Sequence, residues 1–279
     1  MEYYTIGQVS KLCKIPTKTL RYYDEMDLLK PEKVSLETKY RYYSQNDILK
    51  IPVIKYYKQL GFQLKDIKNL ICSLDVNTLE SYFTKELAIV EKQIQELNKK
   101  HFAMTQWFQL LKQGEMLSKE TELFGGVKIY TSVMPLYRTI HYQYKVHEEI
   151  EHIESIFSNS FVEFCSENDI FTYGPFILKF QHYEERIKSC YSTINCYSEI
   201  LGEYEEMIQI GNIRVVNAIH KGDYSQIPIT YKAVLQWVKK NNIQLQGITY
   251  ERYIIDRWCS ANSEEFITEL IFPIQEKIA

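Results

Sequence analysis

The 279-residue chain contains no run of eighteen uncharged apolar residues, and Met1 opens a polar pattern instead of a basic stretch leading into an apolar one. A membrane-spanning helix and a secretory leader are thereby excluded as readings, and a cytoplasmic protein is expected. The six cysteines, Cys13, Cys72, Cys165, Cys190, Cys196 and Cys259, never fall as C-x-x-C. Neither a disulfide framework nor a zinc ribbon is written here, and reduced core thiols are expected. No nucleophile motif and no phosphate loop occurs, so no catalytic residue, metal ligand or cofactor is assigned. Disorder is excluded by 45% hydrophobic content, and the length suits one large domain or two ordinary ones.

What is present is unevenly distributed. Residues 1–75 hold 13 basic against 9 acidic side chains, leaving 20 against 27 for residues 76–279, so only the first quarter would attract phosphate. Thirteen of the 23 tyrosines lie after residue 125, mostly in stretches that alternate like strands. That region reads as built to hold something flat.

The first 71 residues read as short helices with tight connections. Thr5 is placed to cap a helix from Ile6 to Cys13, Ile15-Pro16 turns, and Thr17 is placed to cap a second helix to about Met26. An extended Lys39-Tyr40-Arg41-Tyr42-Tyr43 follows as a wing, and Ser44 then precedes another helix that ends at Gly61-Phe62, with Pro52 expected to kink it. Gln63 to Leu70 forms the last helix of this head. Lys18, Thr19, Arg21 and Tyr22 occupy the second helix, the element that helix-turn-helix geometry pushes into the major groove, and Arg21 is the candidate for bidentate base contact. Tyr40, Arg41 and Tyr42 on the wing suit phosphate oxygens, and Lys58 and Lys65 suit counterion-releasing contacts. Tyr23 and Tyr43 read as core.

From Phe83 the apolar positions are Phe83, Leu87, Val90, Ile94, Leu97, His101, Met104, Phe108 and Leu111, spaced 4, 3, 4, 3 throughout with one histidine intruding. This is a heptad seam, favouring an antiparallel coiled-coil homodimer over a single amphipathic helix packed on its own domain. At 1.5 Å per residue it spans about 43 Å, enough to hold two DNA-reading helices a duplex turn of about 34 Å or more apart.

Gly114 and Gly125-Gly126 are expected to close this helix, after which the apolar period changes from 3.6 to 2. The order strand 127–134, strand 137–144, helix 147–168, strand 176–181, strand 189–197 recurs as 205–210, 213–220, 228–242, 248–256 and 264–271, implying two β-β-α-β-β units. Aligning Gly174 with Gly247 sets Leu178 against Glu251, an acid in one half only. Thr249, Glu251, Tyr253 and Ile255 should share a face, placing a carboxylate among aromatics. A buried unpaired anion costs several kcal/mol, about 3–5 when a partner is removed, so the site should protonate or await a cation, with tyrosine faces adding cation–π attraction. A lipophilic cationic ligand is the expected effector, with Tyr142, Tyr173, Phe180, Tyr224 and Tyr253 as candidate walls beside Glu251. The alternative leaves those aromatics as core packing and Glu251 paired with Arg252, Arg257 or Arg138.

Tyr4-Thr5-Ile6-Gly7-Gln8-Val9-Ser10-Lys11, Thr19-Leu20-Arg21-Tyr22-Tyr23-Asp24, Leu28-Leu29-Lys30-Pro31, Tyr40-Arg41-Tyr42-Tyr43 and Leu60-Gly61-Phe62 together resemble the MerR regulators. The duplicated half containing Gly247-Ile248-Thr249-Tyr250-Glu251-Arg252-Tyr253 is similar to the GyrI-like effector domain. Lys39 and Asp27 stand where many members have glycine. The resemblance implies an α+β multidomain chain: a winged helix-turn-helix DNA-binding head over 1–75, a coiled-coil dimerisation helix over 76–115 and a GyrI-like effector domain over 116–279. It also implies a homodimer on double-stranded promoter DNA that, with effector bound, kinks the spacer read by RNA polymerase. Such bending costs about 1–6 kcal/mol, within reach of effector coupling of about 1–3 kcal/mol per site. The matching acid in that family meets cationic drugs, which points again to Glu251.

Three other readings compete. A metal sensor of this fold would want cysteines at the end of the coil, and residues 100–126 contain none. A small-molecule hydrolase would want a paired acid and base, and the mate of Glu251 is Leu178. A tail that binds another protein would present an exposed apolar surface in place of an aromatic pocket.

Overall fold

The computed structural model describes residues 3–73, 76–119, 124–145, 153–189 and 193–276. The chain divides into two compact units, 1–97 and 98–279. No helix among the described residues is long and apolar enough to cross a membrane.

In the first unit, β1 (Tyr4–Thr5) leads into α1 (Ile6–Cys13), whose N-terminus is closed by Thr5 and Gln8 in a reciprocal capping box. Helix α2 (Thr17–Glu25) starts one residue earlier than the sequence suggested. Pro16 is its N-cap and Thr17 is already helical, because the fixed φ of proline pre-sets the first turn and its carbonyl accepts from Thr19 and Leu20. Strands β2 (Lys33–Val34) and β3 (Arg41–Tyr43) then form, with β1, a three-stranded sheet in the order β1-β3-β2. Sequence reading found only the last of these, since two-residue strands carry no alternation.

Lys39 and Asp27 both adopt positive φ, 56° and 55°, so the backbone keeps the left-handed conformation that favours glycine. Helix α3 (Gln45–Gln59) is capped by Ser44 with Asp47 and continues through Pro52, and Gly61 at φ 99° turns the chain into α4 (Leu64–Ser73). Val9, Leu20, Tyr23, Leu29, Tyr43, Ile51, Ile54 and Ile67 form the core of this unit.

Helix α5 runs Val76–Lys119 without interruption, so Gly114 lies inside it and does not end it. The reason is steric: a Cβ at Gly114 would stand 2.5 Å from Ile255 Cγ1, and only glycine lets the helix approach so closely. Two stripes run along this helix. Trp107, Leu110, Gly114 and Leu117, which belong to the second unit, turn into its core, where Leu110 packs with Ile219, Ile254 and Ile267. The heptad stripe lies on another side and is exposed in the single chain, Ile94 by 50%, Leu97 by 63%, Met104 by 72% and Phe108 by 61%.

The second unit is β4 (Lys128–Met134), β5 (Tyr137–Lys145), α6 (Ile153–Glu167), β6 (Thr172–Phe180), α7 (Tyr183–Lys188), β7 (Thr193–Ile200), β8 (Ile208–Ile210), β9 (Ile213–Lys221), α8 (Ile227–Lys240), β10 (Thr249–Ile255) and β11 (Ile267–Pro273). The expected helical positions 147–152 and the strand positions 190–192, with Cys190, lie outside the described residues. All eight strands join one antiparallel sheet, β4-β9-β11-β10-β6-β7-β5-β8. The order is two-fold about the β10–β6 pair, and the first strand of each half crosses to the other: β4 pairs with β9, and β8 with β5. Helices α6 and α8 supply Phe161, Cys165, Ile227, Tyr231, Val234 and Val238 to the core on one sheet face.

Candidate nucleic-acid face and candidate effector site

On α2 the 3,4 spacing separates two faces. Leu20 and Tyr23 are buried, while Lys18, Arg21 and Tyr22 are exposed together and Thr19 is half-buried at their edge. On the wing Tyr40 is exposed and Tyr42 half-buried. Arg41, the expected phosphate contact, is half-buried, and its Nε donates to Asp24 of α2 at 2.7 Å. That contact ties wing to helix and leaves only the outer guanidinium nitrogens for another partner. Tyr43 is fully buried, which pushes its phenol up to about 12. Lys58, in the last turn of α3, and Lys65, in the first of α4, are exposed on either side of the Gly61 turn.

In the second unit, β10 alternates between two environments. Register places Glu251 directly across from Leu178 on β6 and from Leu270 on β11. Its side chain points to the α8 face and is 0% exposed. Glu251 is not the unpaired acid that the sequence suggested. Arg186 Nε on α7 donates to Oε1 at 2.9 Å, Tyr231 on α8 donates its hydroxyl to the same oxygen at 2.9 Å, and Tyr253 donates to Oε2 at 2.7 Å. Because the Tyr231 proton is committed to the carboxylate, Thr249 Oγ1, 2.6 Å away, must be the donor in that bond. Burial and the neighbouring carboxylate hold the Tyr231 phenol well above its ordinary range, so it stays a donor.

None of the three arginines considered from sequence is the partner. Arg252 points to the opposite face, where it binds Glu269 at 3.1 Å and Gln113 of α5 at 3.2 Å. Arg138 stands 3.8 Å from Glu203, and Arg257 is exposed.

Of the expected wall residues, three gather at the acid. Tyr253 bonds it, Tyr224 meets Tyr253 edge to face at 5.3 Å, and Phe180 lies under the Arg186 guanidinium at 5.7 Å. Tyr142 belongs to a separate aromatic group with Phe161 and Phe164 on the same sheet face. Tyr173 is not on this side at all: it lies an odd number of residues from Leu178 and Phe180, so alternation along β6 turns it to the other face, where its ring meets Phe102 of α5 at 4.8 Å. A register shift after Tyr253 turns Ile255, expected beside Glu251, against Gly114 of α5.

Nearby, His220 is buried, which lowers its pKa from the ordinary value. Its Nε2 donates to the Asp223 carbonyl at 3.0 Å and its Nδ1 accepts from Thr230 at 2.8 Å, the arrangement of a neutral ring. Thr268, in register with both His220 and Tyr253, is fully buried, and its hydroxyl has no partner among the described residues.

Sequence reading missed Arg186, Tyr231 and His220. Tyr231 carries a weak signal, a hydroxyl on the Ile227, Tyr231, Val234, Val238 stripe; Arg186 carries none.

Residues 4–74 match the MerR HTH family regulatory proteins, and residues 185–275 match the GyrI-like small molecule binding domain. Arg186, Tyr231, Glu251 and Tyr253 all fall in the second match. Multidrug-efflux transporter 2 regulator of Bacillus subtilis (strain 168) is 25% identical over 99% of this chain and 97% of its own length. Multidrug-efflux transporter 1 regulator of the same organism is 35% identical over 45% of this chain and 43% of its own. Among solved structures, the EcmrR–DNA complex in EcmrR-RPo aligns with 98% of this chain and 100% of its own at 22% identity and a TM-score of 0.45. The chain thus carries a MerR-type HTH domain over residues 4–74 and a GyrI-like small molecule binding domain over residues 185–275.

Proposed function

We propose that the protein is a homodimeric, ligand-responsive transcription regulator, in the first place an activator. It binds double-stranded promoter DNA through Lys18, Thr19, Arg21, Tyr22, Tyr40, Arg41, Tyr42 and Lys58, and is switched by a hydrophobic cation held near Glu251. The observation that carries the ligand class is a fully buried carboxylate on the α8 face of the sheet, surrounded by Tyr231, Tyr253, Tyr224 and Phe180, with a cationic side chain already seated on it. A desolvated anion with aromatic faces around it favours a positive, apolar partner over a neutral one. The exposed heptad stripe of α5 supports pairing with a second chain, and the outward Lys18, Arg21 and Tyr22 support major-groove reading. The names of the two Bacillus relatives are consistent with a multidrug-responsive role, and RNA polymerase is the partner that a promoter-bound activator would engage.

The test is a fluorescence screen of hydrophobic cations and their neutral analogues against the wild type and Glu251→Gln. Weakened cation binding in the variant, with operator affinity unchanged, is expected; equal affinity in both removes Glu251 from the reading. In mobility shifts, Arg21→Ala should lose sequence preference while keeping weak, salt-sensitive binding.

A further inference from the structure

We infer that the guanidinium of Arg186 is the resident occupant of the Glu251 cage, and that effectors of the planar amidinium or guanidinium class bind by taking its place. The inference rests on the reading that Glu251 is the effector acid, and it adds both the chemistry the cage selects and the group that competes for it.

The geometry is that of a cation site in use. The Arg186 side chain is 7% exposed, its Nε donates to Glu251 Oε1 at 2.9 Å, and its guanidinium carbon stands 5.7 Å from the centre of the Phe180 ring. A planar cation with one N–H toward a carboxylate and one face toward a ring is thus accommodated, whereas a quaternary ammonium offers no N–H for that oxygen. The carboxylate is otherwise held by Tyr231 from α8 and by Tyr253 from its own strand, so it stays in place when the cation changes.

Arg186 arrives from α7, a helix of six residues between β6 and β7. Its other charged side chains, Glu184, Glu185 and Lys188, are not buried, and Lys188 pairs with Glu184 at 2.9 Å. The helix is pinned at its start, where Tyr183 N–H donates to the Gly247 carbonyl at 2.9 Å and the His182 ring caps Glu184. Arg186 therefore reaches the acid as a side chain tethered to a short surface element, and a tethered competitor lowers the apparent affinity of a free ligand by the fraction of molecules in which it vacates the site.

The experiment uses the full-length chain and p-aminobenzamidine, an aryl amidinium whose fluorescence reports apolar burial, with p-aminobenzamide as the neutral control and benzyltrimethylammonium as the cation without N–H. The expected result is binding of p-aminobenzamidine to the wild type, tightened about tenfold or more in Arg186→Ala as the tethered competitor is removed. Arg186→Lys, which keeps the charge and loses the planar fork, should lie between them and serves if the alanine variant does not fold. Methylguanidinium at millimolar concentration should raise the melting temperature of Arg186→Ala and not that of the wild type. Equal p-aminobenzamidine affinity in the wild type and the Arg186 variants, with loss in Glu251→Gln, overturns the role of Arg186 while leaving Glu251 as the effector acid. Equal binding of the amidine and its neutral amide overturns both.

Discussion

Arg186 Nε and Glu251 Oε1 lie 2.9 Å apart, joining α7 to β10 across 65 residues of sequence with side chains 7% and 0% exposed. Such a pair contributes little over a well-packed apolar one, but losing one member leaves a bare charge in the core. Glu251→Gln and Arg186→Met should therefore each destabilise the second unit by about 3–5 kcal/mol. The double variant should recover more than half of the summed loss, since the glutamine oxygen can accept from one of Tyr231 and Tyr253 while its NH2 donates to the hydroxyl oxygen of the other. Urea unfolding of the four proteins gives the coupling, and simple additivity would show that the charges do not interact.

The heptad stripe predicts oligomeric state without touching either core. Leu97 and Met104 are 63% and 72% exposed in the single chain, so Leu97→Glu with Met104→Glu should leave helicity intact and place like charges in a seam that needs apolar contact. Sedimentation should find monomers where the wild type is dimeric, with operator affinity falling in parallel. A dimer that survives the change locates the interface elsewhere.

Gly114 is the point where α5 comes closest to β10. Alanine there gains about 1 kcal/mol of helix propensity, but its Cβ must already push Ile255 aside, and a larger side chain must displace it further. Gly114→Leu is expected to cost about 1–3 kcal/mol through overpacking. Thermal unfolding checks it: an unchanged or raised melting temperature means that the helix slides aside freely.

His220 sets an acid limit on the second unit. Burial lowers its folded pKa below the unfolded value of about 6.5, so the unfolded chain binds the extra proton first. Its contribution is complete above that unfolded pKa and is lost as pH falls toward the folded one. Calorimetry between pH 7.5 and 5, in steps of about half a unit, should show a declining melting temperature with a shallower slope in His220→Gln. Parallel slopes would assign the acid sensitivity to other groups.

Much of this architecture was legible because local chemistry and global packing agree. Thr5 and Ser44 announce their helices, the 4,3 spacing from Phe83 announces α5, and Gly174 aligned with Gly247 pairs Glu251 with Leu178, which stand directly across from each other in the sheet. The failures share one cause, that contacts distant in sequence leave no periodic trace. Arg186 sits on a helix too short to show a pattern, and Ile255 is assigned to a face by strict alternation that the register shift of β10 cancels. Gly114 read as a helix stop because sequence does not reveal a strand packed against it.

The crossing of β4 to β9 and of β8 to β5 means that neither repeat completes its own edge. A lone copy of this β-β-α-β-β segment would present an unfinished rim, and would find closure only against a second copy, by exchanging opening strands. Fusion of two such copies into one polypeptide makes that exchange permanent, and leaves each free to change the residue it brings to the shared axis: an acid on one side, a leucine on the other.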